Sequence, residues 1–153
     1  MLRPFTWCLI ATALLLGGCT SSLTKLDLSL SSSDQLNPDI NGRPSPIVLR
    51  LVELKHPATF EQADFFSLYR SPKESLKPDF VTQEELELRP GERRTLKLFV
   101  NPGSRYVGVL AAYRDLPESQ WRHVIPLQQQ ARHRVRLHLD ARGIRDLSEH
   151  QDK

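Results

Sequence analysis

Residues 26–31 read LDLSLS, a run in which every second residue is leucine and the residues between are Asp27, Ser29 and Ser31. Side chains that alternate with a period of two lie on opposite faces of an extended strand, whereas a helix buries residues three or four apart. The run therefore predicts a β-strand with one buried and one polar face. The same pattern in later segments decides the fold class.

Six further segments predict the remaining strands and the turns between them. The segment IVLRLVELK (47–55) is apolar on both faces and suits the centre of a sheet, as does YVGVLAAY (106–113), where Gly108 leaves room for a neighbouring element. The other predicted strands cover residues 85–89, 95–100, 121–127 and 134–139. The turn sequence Pro90-Gly91 follows the strand at 85–89, and Asn101-Pro102-Gly103 follows the strand at 95–100. Six or seven short strands separated by turns predict an all-β fold, a two-sheet β-sandwich.

One short helix is expected to be added to the sandwich. Thr59 and Gln62 have the spacing of a capping box, in which each side chain bonds the backbone of the helix's first turn. A helical face would then be shared by Phe60, Ala63, Phe66 and Leu68.

The segment between the first two strands, residues 32–46, predicts a long loop. It holds Pro38, Pro44 and Pro46, an Asn41-Gly42 pair and few apolar side chains. Loops of this length inside a compact domain are usually functional or disordered, so length alone favours contact with a partner.

The N-terminus predicts a secretory signal in residues 1–18. One basic residue, Arg3, precedes an apolar run that is too short to span a bilayer, which needs about 20 residues. The run ends in Leu16-Gly17-Gly18-Cys19, which resembles a bacterial lipobox. That resemblance implies a diacylglyceryl thioether and an N-acyl chain on Cys19, and Thr20, in place of aspartate, implies sorting to the outer membrane. An ordinary cleaved signal with a chance cysteine is the alternative.

The mature chain would therefore carry neither a free thiol nor a disulfide, since Cys8 lies in the removed signal. It would hold 20 basic and 18 acidic residues, a balance that gives no general affinity for nucleic acid. The basic residues are concentrated between Arg93 and Arg145, where only Asp115, Glu118 and Asp140 are acidic. This surface is either simply solvated or meets an acidic partner or anionic head groups.

No catalytic motif is present. The chain lacks a nucleophile elbow, a P-loop, a dinucleotide fingerprint and a zinc-protease helix, and its five histidines share no ligand spacing. Glu84, Glu85 and Glu87 follow a strand edge as a solvated face would. The sequence therefore predicts no enzyme, no metal site, no small-molecule substrate and no cofactor apart from the lipid on Cys19.

An ordered set of segments resembles a known family. In chain order they are NGRPSP (41–46) leading into the strand 47–55, FEQADFFSLY (60–69), LELRPGE (86–92), YVGVLAAYRD (106–115) and Trp121-Arg122. Together with the lipobox, the set resembles the outer-membrane lipoproteins of type VI secretion systems, the TssJ (SciN, VasD) family.

The resemblance implies a transthyretin-like sandwich with an added helix and a variable loop after the first strand. It also implies that the protein binds the periplasmic C-terminal region of TssM and so anchors the TssL/TssM inner-membrane complex to the outer membrane. The family's partner contact maps to nine residues of the loop: Ser33, Asp34, Gln35, Leu36, Asn37, Pro38, Asp39, Ile40 and Asn41. Within it we expect Leu36 and Ile40, which are apolar among polar neighbours, to be the anchors.

The resulting domain plan has four parts. A signal peptide (1–18) precedes an acylated tether (19–25), the sandwich (26–140) and a polar tail open to disorder (141–153). The tether's six or so residues reach about 20 Å at most, which holds the domain near its membrane on the periplasmic side. Two other classes remain open: a different outer-membrane lipoprotein with a structural or chaperone-like sandwich, and a peptidoglycan-active enzyme or binder.

Overall fold

The structure, a computed structural model, describes residues 23–148, so the signal, Cys19 and most of the tether lie outside the described residues. Within residues 23–148, eight strands and three short helices follow one another. They are β1 (Thr24–Ser32), β2 (Ile47–Leu54), α1 (Ala58–Gln62), α2 (Phe65–Arg70), α3 (Pro72–Ser75), β3 (Phe80–Leu88), β4 (Arg93–Val100), β5 (Tyr106–Ala111), β6 (Arg122–Pro126), β7 (Arg132–Leu139) and β8 (Ile144–Asp146).

The strands form two four-stranded sheets. Sheet I has the order β4-β1-β7-β8 and sheet II the order β3-β2-β5-β6. β1 pairs antiparallel with β4 and parallel with β7, and every pair in sheet II is antiparallel. The expected two-sheet sandwich is confirmed, with β2 and β5 in the interior of their sheet as predicted.

The main core lies between the sheets. The leucines of the opening run, Leu26, Leu28 and Leu30, are at most 2% exposed and face Leu49 and Val109 of sheet II within one apolar cluster. The alternation read from LDLSLS is thus the alternation between the core and the outer face of sheet I. Each such side chain contributes roughly 1.5–3 kcal/mol on burial.

A second apolar cluster covers the outer face of sheet II. Phe60, Phe65 and Leu68 of the helices pack there on Val52 and Leu110. Gly108 of β5 permits this approach, because a Cβ at that position would lie 2.8 Å from the Phe60 ring. The predicted close approach at Gly108 is confirmed.

The helical segment differs from its prediction in two ways. Pro57 is already helical in φ and ψ, so α1 begins before Thr59, and no side chain caps it. The capping box is therefore wrong; the side-chain cap in this segment is Asp64, which accepts the N–H of Ser67 at the start of α2. Because the backbone leaves the helical conformation at Ala63 and again at Ser71, one expected helix becomes three. Phe66 turns outward with 54% of its surface exposed.

The C-terminal segment also differs from its prediction. β8 pairs with β7 inside the segment expected to be a tail, and Ile144 is only 4% exposed. A single buried side chain in a three-residue strand gives too weak a periodicity to be recognised from sequence. The sandwich therefore extends from residue 24 to residue 146.

Candidate functional site

The loop of residues 33–46 joins the central strand of sheet I to an interior strand of sheet II, and so crosses one end of the sandwich. Its base is closed by backbone hydrogen bonds. The N–H of Ser45 donates to the carbonyl of Leu36 at 3.0 Å, and the N–H of Leu36 donates to that of Ser33 at 3.2 Å. These two backbone bonds close the base of the loop.

The first part of the loop lies against neighbouring strand ends. The N–H of Ser33 donates to the carbonyl of Leu139, and the N–H of Gly91 donates to the carbonyl of Ser33 at 3.2 Å. The Asp34 carboxylate lies over Gly91, where a Cβ would be 2.7 Å from its Oδ1. Residues 33–35 therefore fasten the loop to sheet I and to the β3–β4 turn.

Leu36 is part of the core and not of the partner surface. It is 0% exposed and belongs to the cluster between the sheets, where it closes the end of the sandwich. The expectation that Leu36 anchors a partner is wrong, because a side chain already packed among core leucines is not available for a second contact.

Asn37 fixes the loop to the segment that follows β5. Its Oδ1 accepts the N–H of Arg114 at 2.9 Å, its Nδ2 donates to the carbonyl of Pro46 at 3.0 Å, and it is only 4% exposed. Its backbone has φ of 45°, a left-handed conformation that asparagine adopts more readily than most residues. Asn37 therefore acts as a structural clamp.

Asp39 organises the tip of the loop. Its Oδ1 accepts the backbone N–H groups of Asn41 at 2.8 Å and Arg43 at 3.0 Å, and its Oδ2 accepts Nε of Arg43 at 2.8 Å. The hydrogen bond from the Arg43 backbone, more than any other contact, holds the pKa of Asp39 below its ordinary value of 3.8. The carboxylate thus stays charged and keeps the turn closed at neutral pH.

Ile40 lies at the apex of this turn and is fully exposed, with a relative accessibility of 101%. A groove of about 630 Å³ runs beside it, bounded by the loop and by Tyr113, Arg114 and Ala141. The apex combines the apolar side chain of Ile40 with the opposite charges of Asp39 and Arg43. This combination is typical of surfaces that bind proteins.

The far wall of the groove was missed by sequence reasoning. The sequence predicts Tyr113 to be in a strand, yet it follows β5 and packs in the core below the groove, 4% exposed. Burial, with a contribution from Asp140, raises the pKa of its hydroxyl, which has no hydrogen-bond partner among the described residues. The only sequence signal was position, since residues 106–115 belonged to a segment that resembled the family.

Other chemistry-bearing side chains do not converge on this loop. His56 contacts Asp79 at 2.9 Å, His123 contacts Asp146 at 3.2 Å, and His138 contacts Ser31 at 2.9 Å. Within residues 23–148, no group of three or more potential ligands could hold a metal ion. Glu84, Glu85 and Glu87 lie exposed on β3, and Glu85 pairs with Arg50 at 2.7 Å.

None of the helices in residues 23–148 is long and apolar enough to cross a bilayer. The fold thus belongs to the class of two-sheet β-sandwiches, with a hydrogen-bonded loop that exposes Ile40 at one end.

Comparison with known proteins identifies the family. The family model described as type VI secretion lipoprotein (T6SS-SciN; VasD, EvfM, TssJ) matches residues 24–142. The chain therefore belongs to the TssJ family of type VI secretion lipoproteins, and the resemblance read from the sequence is confirmed. No curated protein matches the chain.

Solved structures agree with this assignment. The T6SS lipoprotein TssJ1 from Pseudomonas aeruginosa is 35% identical to this chain, with a TM-score of 0.79, and the match covers 82% of this chain and 95% of that chain. Lip from Serratia marcescens, a membrane-bound component of the type VI secretion system, is 25% identical, with a TM-score of 0.76, and the match covers 81% of this chain and 97% of that chain. A chain in a structure of the T6SS protein TssM C-terminal domain from EAEC shares the fold, with 22% identity, 80% and 97% coverage and a TM-score of 0.66.

Proposed function

We propose that this lipoprotein is anchored in the outer membrane through Cys19 and binds the periplasmic C-terminal region of TssM through its β1–β2 loop. Binding TssM would also connect it indirectly to TssL, so that the inner-membrane complex of the secretion system is anchored to the outer membrane. The protein acts by holding its partner, and no chemical step is required.

The observation that carries this proposal is the full exposure of Ile40 on a loop held by hydrogen bonds at its base and its tip. Isoleucine is usually buried, and a large apolar side chain at the apex of an ordered turn can bury most of its surface in a partner's pocket. Because the loop is already ordered, little conformational entropy is lost on binding.

The position of the loop supports the same role. The tether enters β1 at Thr24, whereas the loop leaves β1 after Ser32. Nine residues of strand separate these points by about 30 Å, at roughly 3.3 Å per residue. A lipid anchor at one end of the sandwich therefore leaves the loop at the other end free to contact a periplasmic partner.

The relatives support the choice of partner. The family is one of type VI secretion lipoproteins, and a chain of this fold occurs in a structure of the TssM C-terminal domain. TssM is therefore the first protein to test against the exposed loop.

A calorimetric titration tests the loop. The soluble domain from Thr20 onward would be titrated with the periplasmic C-terminal region of TssM from the same genome, as wild type and as Ile40→Asp. The proposal expects saturable binding by wild type and at least a tenfold loss in the variant, since a desolvated aspartate replaces an apolar anchor. Phe66→Asp, at another exposed apolar position distant in sequence, is the matched control and should bind normally.

The titration can also reject the proposal. Equal affinity of wild type and Ile40→Asp for TssM would remove the loop apex from the interface, and no binding by folded wild type would remove TssM as the partner. Replacing residues 38–43 by a Gly/Ser linker is the second variant, because it spares the buried Leu36 and Asn37.

Fractionation tests the anchor separately. Cys19→Ser is expected to remove the protein from the outer-membrane fraction, because serine lacks the thiol that would carry the diacylglyceryl group. A Cys8→Ser variant is the control and should remain in the outer membrane. Retention of Cys19→Ser in the outer-membrane fraction would show that another feature holds the protein there.

A further inference from the structure

Among residues 23–148, no helix packs on the outer face of sheet I, whereas the helices cover the outer face of sheet II. Residues on this face form rows across the strands, because the strand registers align them. Phe99, Lys25 and Arg132 make the row nearest the tether. The next rows are Lys97, Asp27 and Arg134, then Thr95, Ser29 and Arg136, and finally Arg93, Ser31, His138 and Arg145.

This surface, called the basic face below, is strongly positive. Its rows contain one carboxylate, Asp27, and seven cationic side chains: Lys25, Arg93, Lys97, Arg132, Arg134, Arg136 and Arg145. Asp27 lies 3.7 Å from Arg132. Within the described part of the chain, Arg93, Lys97 and Arg134 have no carboxylate within ion-pair distance, so their charges are available to a partner.

A groove at the far end of the basic face is suited to a phosphate group. It encloses about 580 Å³ and is lined by Arg93, Arg136 and His138 together with the hydroxyl-bearing Ser29, Ser31 and Thr95. Guanidinium groups and hydroxyls are the donors that phosphate oxygens accept best in proteins.

The row nearest the tether adds apolar side chains to the cations. Phe99 is 66% exposed, its ring centroid lies 5.6 Å from Nζ of Lys25, and the neighbouring Leu23 is 49% exposed. Exposed aromatic and aliphatic groups beside lysine and arginine are the composition of segments that lie in a membrane interface.

We propose that the basic face docks on the anionic phospholipid head groups of the membrane in which the protein is anchored. The positive charge of the basic face depends only on the residues of sheet I, whereas the closeness of this face to the bilayer rests on the proposed anchor at Cys19. From Cys19 to Thr24 the chain spans at most about 18 Å, so the row of Phe99, Lys25 and Arg132 is held close to the bilayer.

A membrane fits this surface better than an acidic protein does. The cations extend over the whole length of β7 in a flat sheet and not around a pocket shaped for one side chain. A phospholipid surface matches a broad charged face without a specific fit, and each cation near it adds independently to binding. With this face on the bilayer, the helical side would face the periplasm and the β1–β2 loop would lie free at one end.

Vesicle binding by the unlipidated domain tests the proposal. We expect the domain to fold by itself, because nearly the whole crystallised TssJ1 chain, 95% of it, aligns with 82% of this chain. It would be co-sedimented with vesicles of phosphatidylethanolamine and phosphatidylglycerol, and with vesicles of phosphatidylcholine. We expect binding to the anionic vesicles alone, weakening as salt rises.

Two triple variants with the same change in net charge locate the surface. Arg93→Gln/Lys97→Gln/Arg134→Gln removes three cations from the basic face and should weaken the partition to anionic vesicles roughly tenfold or more. Lys55→Gln/Arg70→Gln/Lys73→Gln removes three exposed cations elsewhere and should weaken it less than about threefold.

Several outcomes would overturn the proposal. Equal loss in the two triple variants would show that only net charge matters. Absence of binding by the folded wild-type domain would exclude lipid and leave an acidic protein as the occupant of this face. The TssM titration distinguishes this proposal from the proposed function: the basic-face variant should bind TssM normally, and reduced affinity would place the face in the TssM interface instead.

Discussion

The side-chain oxygen of Asn37 accepts the backbone N–H of Arg114 at 2.9 Å and so joins the β1–β2 loop to the segment that follows β5. The two residues are 77 positions apart in the chain. With the bond from Nε of Arg114 to Oγ of Ser45 at 3.1 Å, this contact joins the two walls of the groove beside Ile40. The conformation of the loop therefore depends on the packing of the sandwich.

Replacing Asn37 should destabilise the domain. Asn37→Ala leaves the N–H of Arg114 and the carbonyl of Pro46 without their partner and strains the left-handed backbone, so we expect the free energy of unfolding to fall by about 2–4 kcal/mol. Asn37→Gly loses the same bonds without the strain and should lose less. Urea denaturation measures both variants, and Asn41→Ala, at an exposed position, is the control. Equal stability of Asn37→Ala and wild type would contradict a stabilising role for the hydrogen bonds of Asn37.

Truncating Leu36 should destabilise the domain, whereas truncating Ile40 should not. Leu36→Ala opens a cavity in the core and should lower the free energy of unfolding by about 2–5 kcal/mol. Ile40→Ala changes only an exposed side chain and should leave stability within about 0.5 kcal/mol of wild type. Denaturation with the same buffer and denaturant compares them directly, and a stable Leu36→Ala protein would argue against its burial.

Gly108 should not tolerate a side chain. In Gly108→Ala the new methyl group would meet the buried Phe60 ring at 2.8 Å, and we expect a loss of about 1–3 kcal/mol from forced repacking of α1. Gly103→Ala is the matched control, because nothing lies within 4 Å of a Cβ there. Thermal unfolding measures both variants. Combining Gly108→Ala with Phe60→Leu should cost less than the sum of the two single changes.

Acid should loosen the loop through Asp39. Its pKa is lowered in the folded protein below 3.8, so the stability it contributes is complete above that value and is lost as pH falls through the lower folded pKa. The difference in unfolding free energy between wild type and Asp39→Asn should therefore be constant near neutral pH and shrink in acid. NMR titration of the Asp39 carboxyl carbon gives the pKa, and a midpoint above 3.8 would contradict the direction.

A charge control accompanies this experiment. Asp115→Asn removes a neighbouring exposed carboxylate without touching the turn, so it should leave the chemical shifts of the Arg43 amide unchanged. A matching shift change in both variants would assign the effect to net charge and not to the hydrogen bonds of Asp39.

The sequence by itself determined the sandwich, the interior positions of β2 and β5, the two Pro/Gly turns and the family. These features depend on local patterns, such as the alternation of LDLSLS and the fixed φ of proline before glycine, which the folded chain preserves. The family followed from the order of several segments, none of them specific alone.

Only the tertiary structure decided the rest. Leu36 and Ile40 are both apolar residues of one loop, yet one is in the core and the other fully exposed. The break at Ala63 exposed Phe66, and β8 became visible only through its pairing with β7. Burial of a loop residue depends on which distant segments close over it. The basic face exists because strand pairing aligns cations that are far apart in the sequence, such as Lys25 and Arg132, which are 107 positions apart.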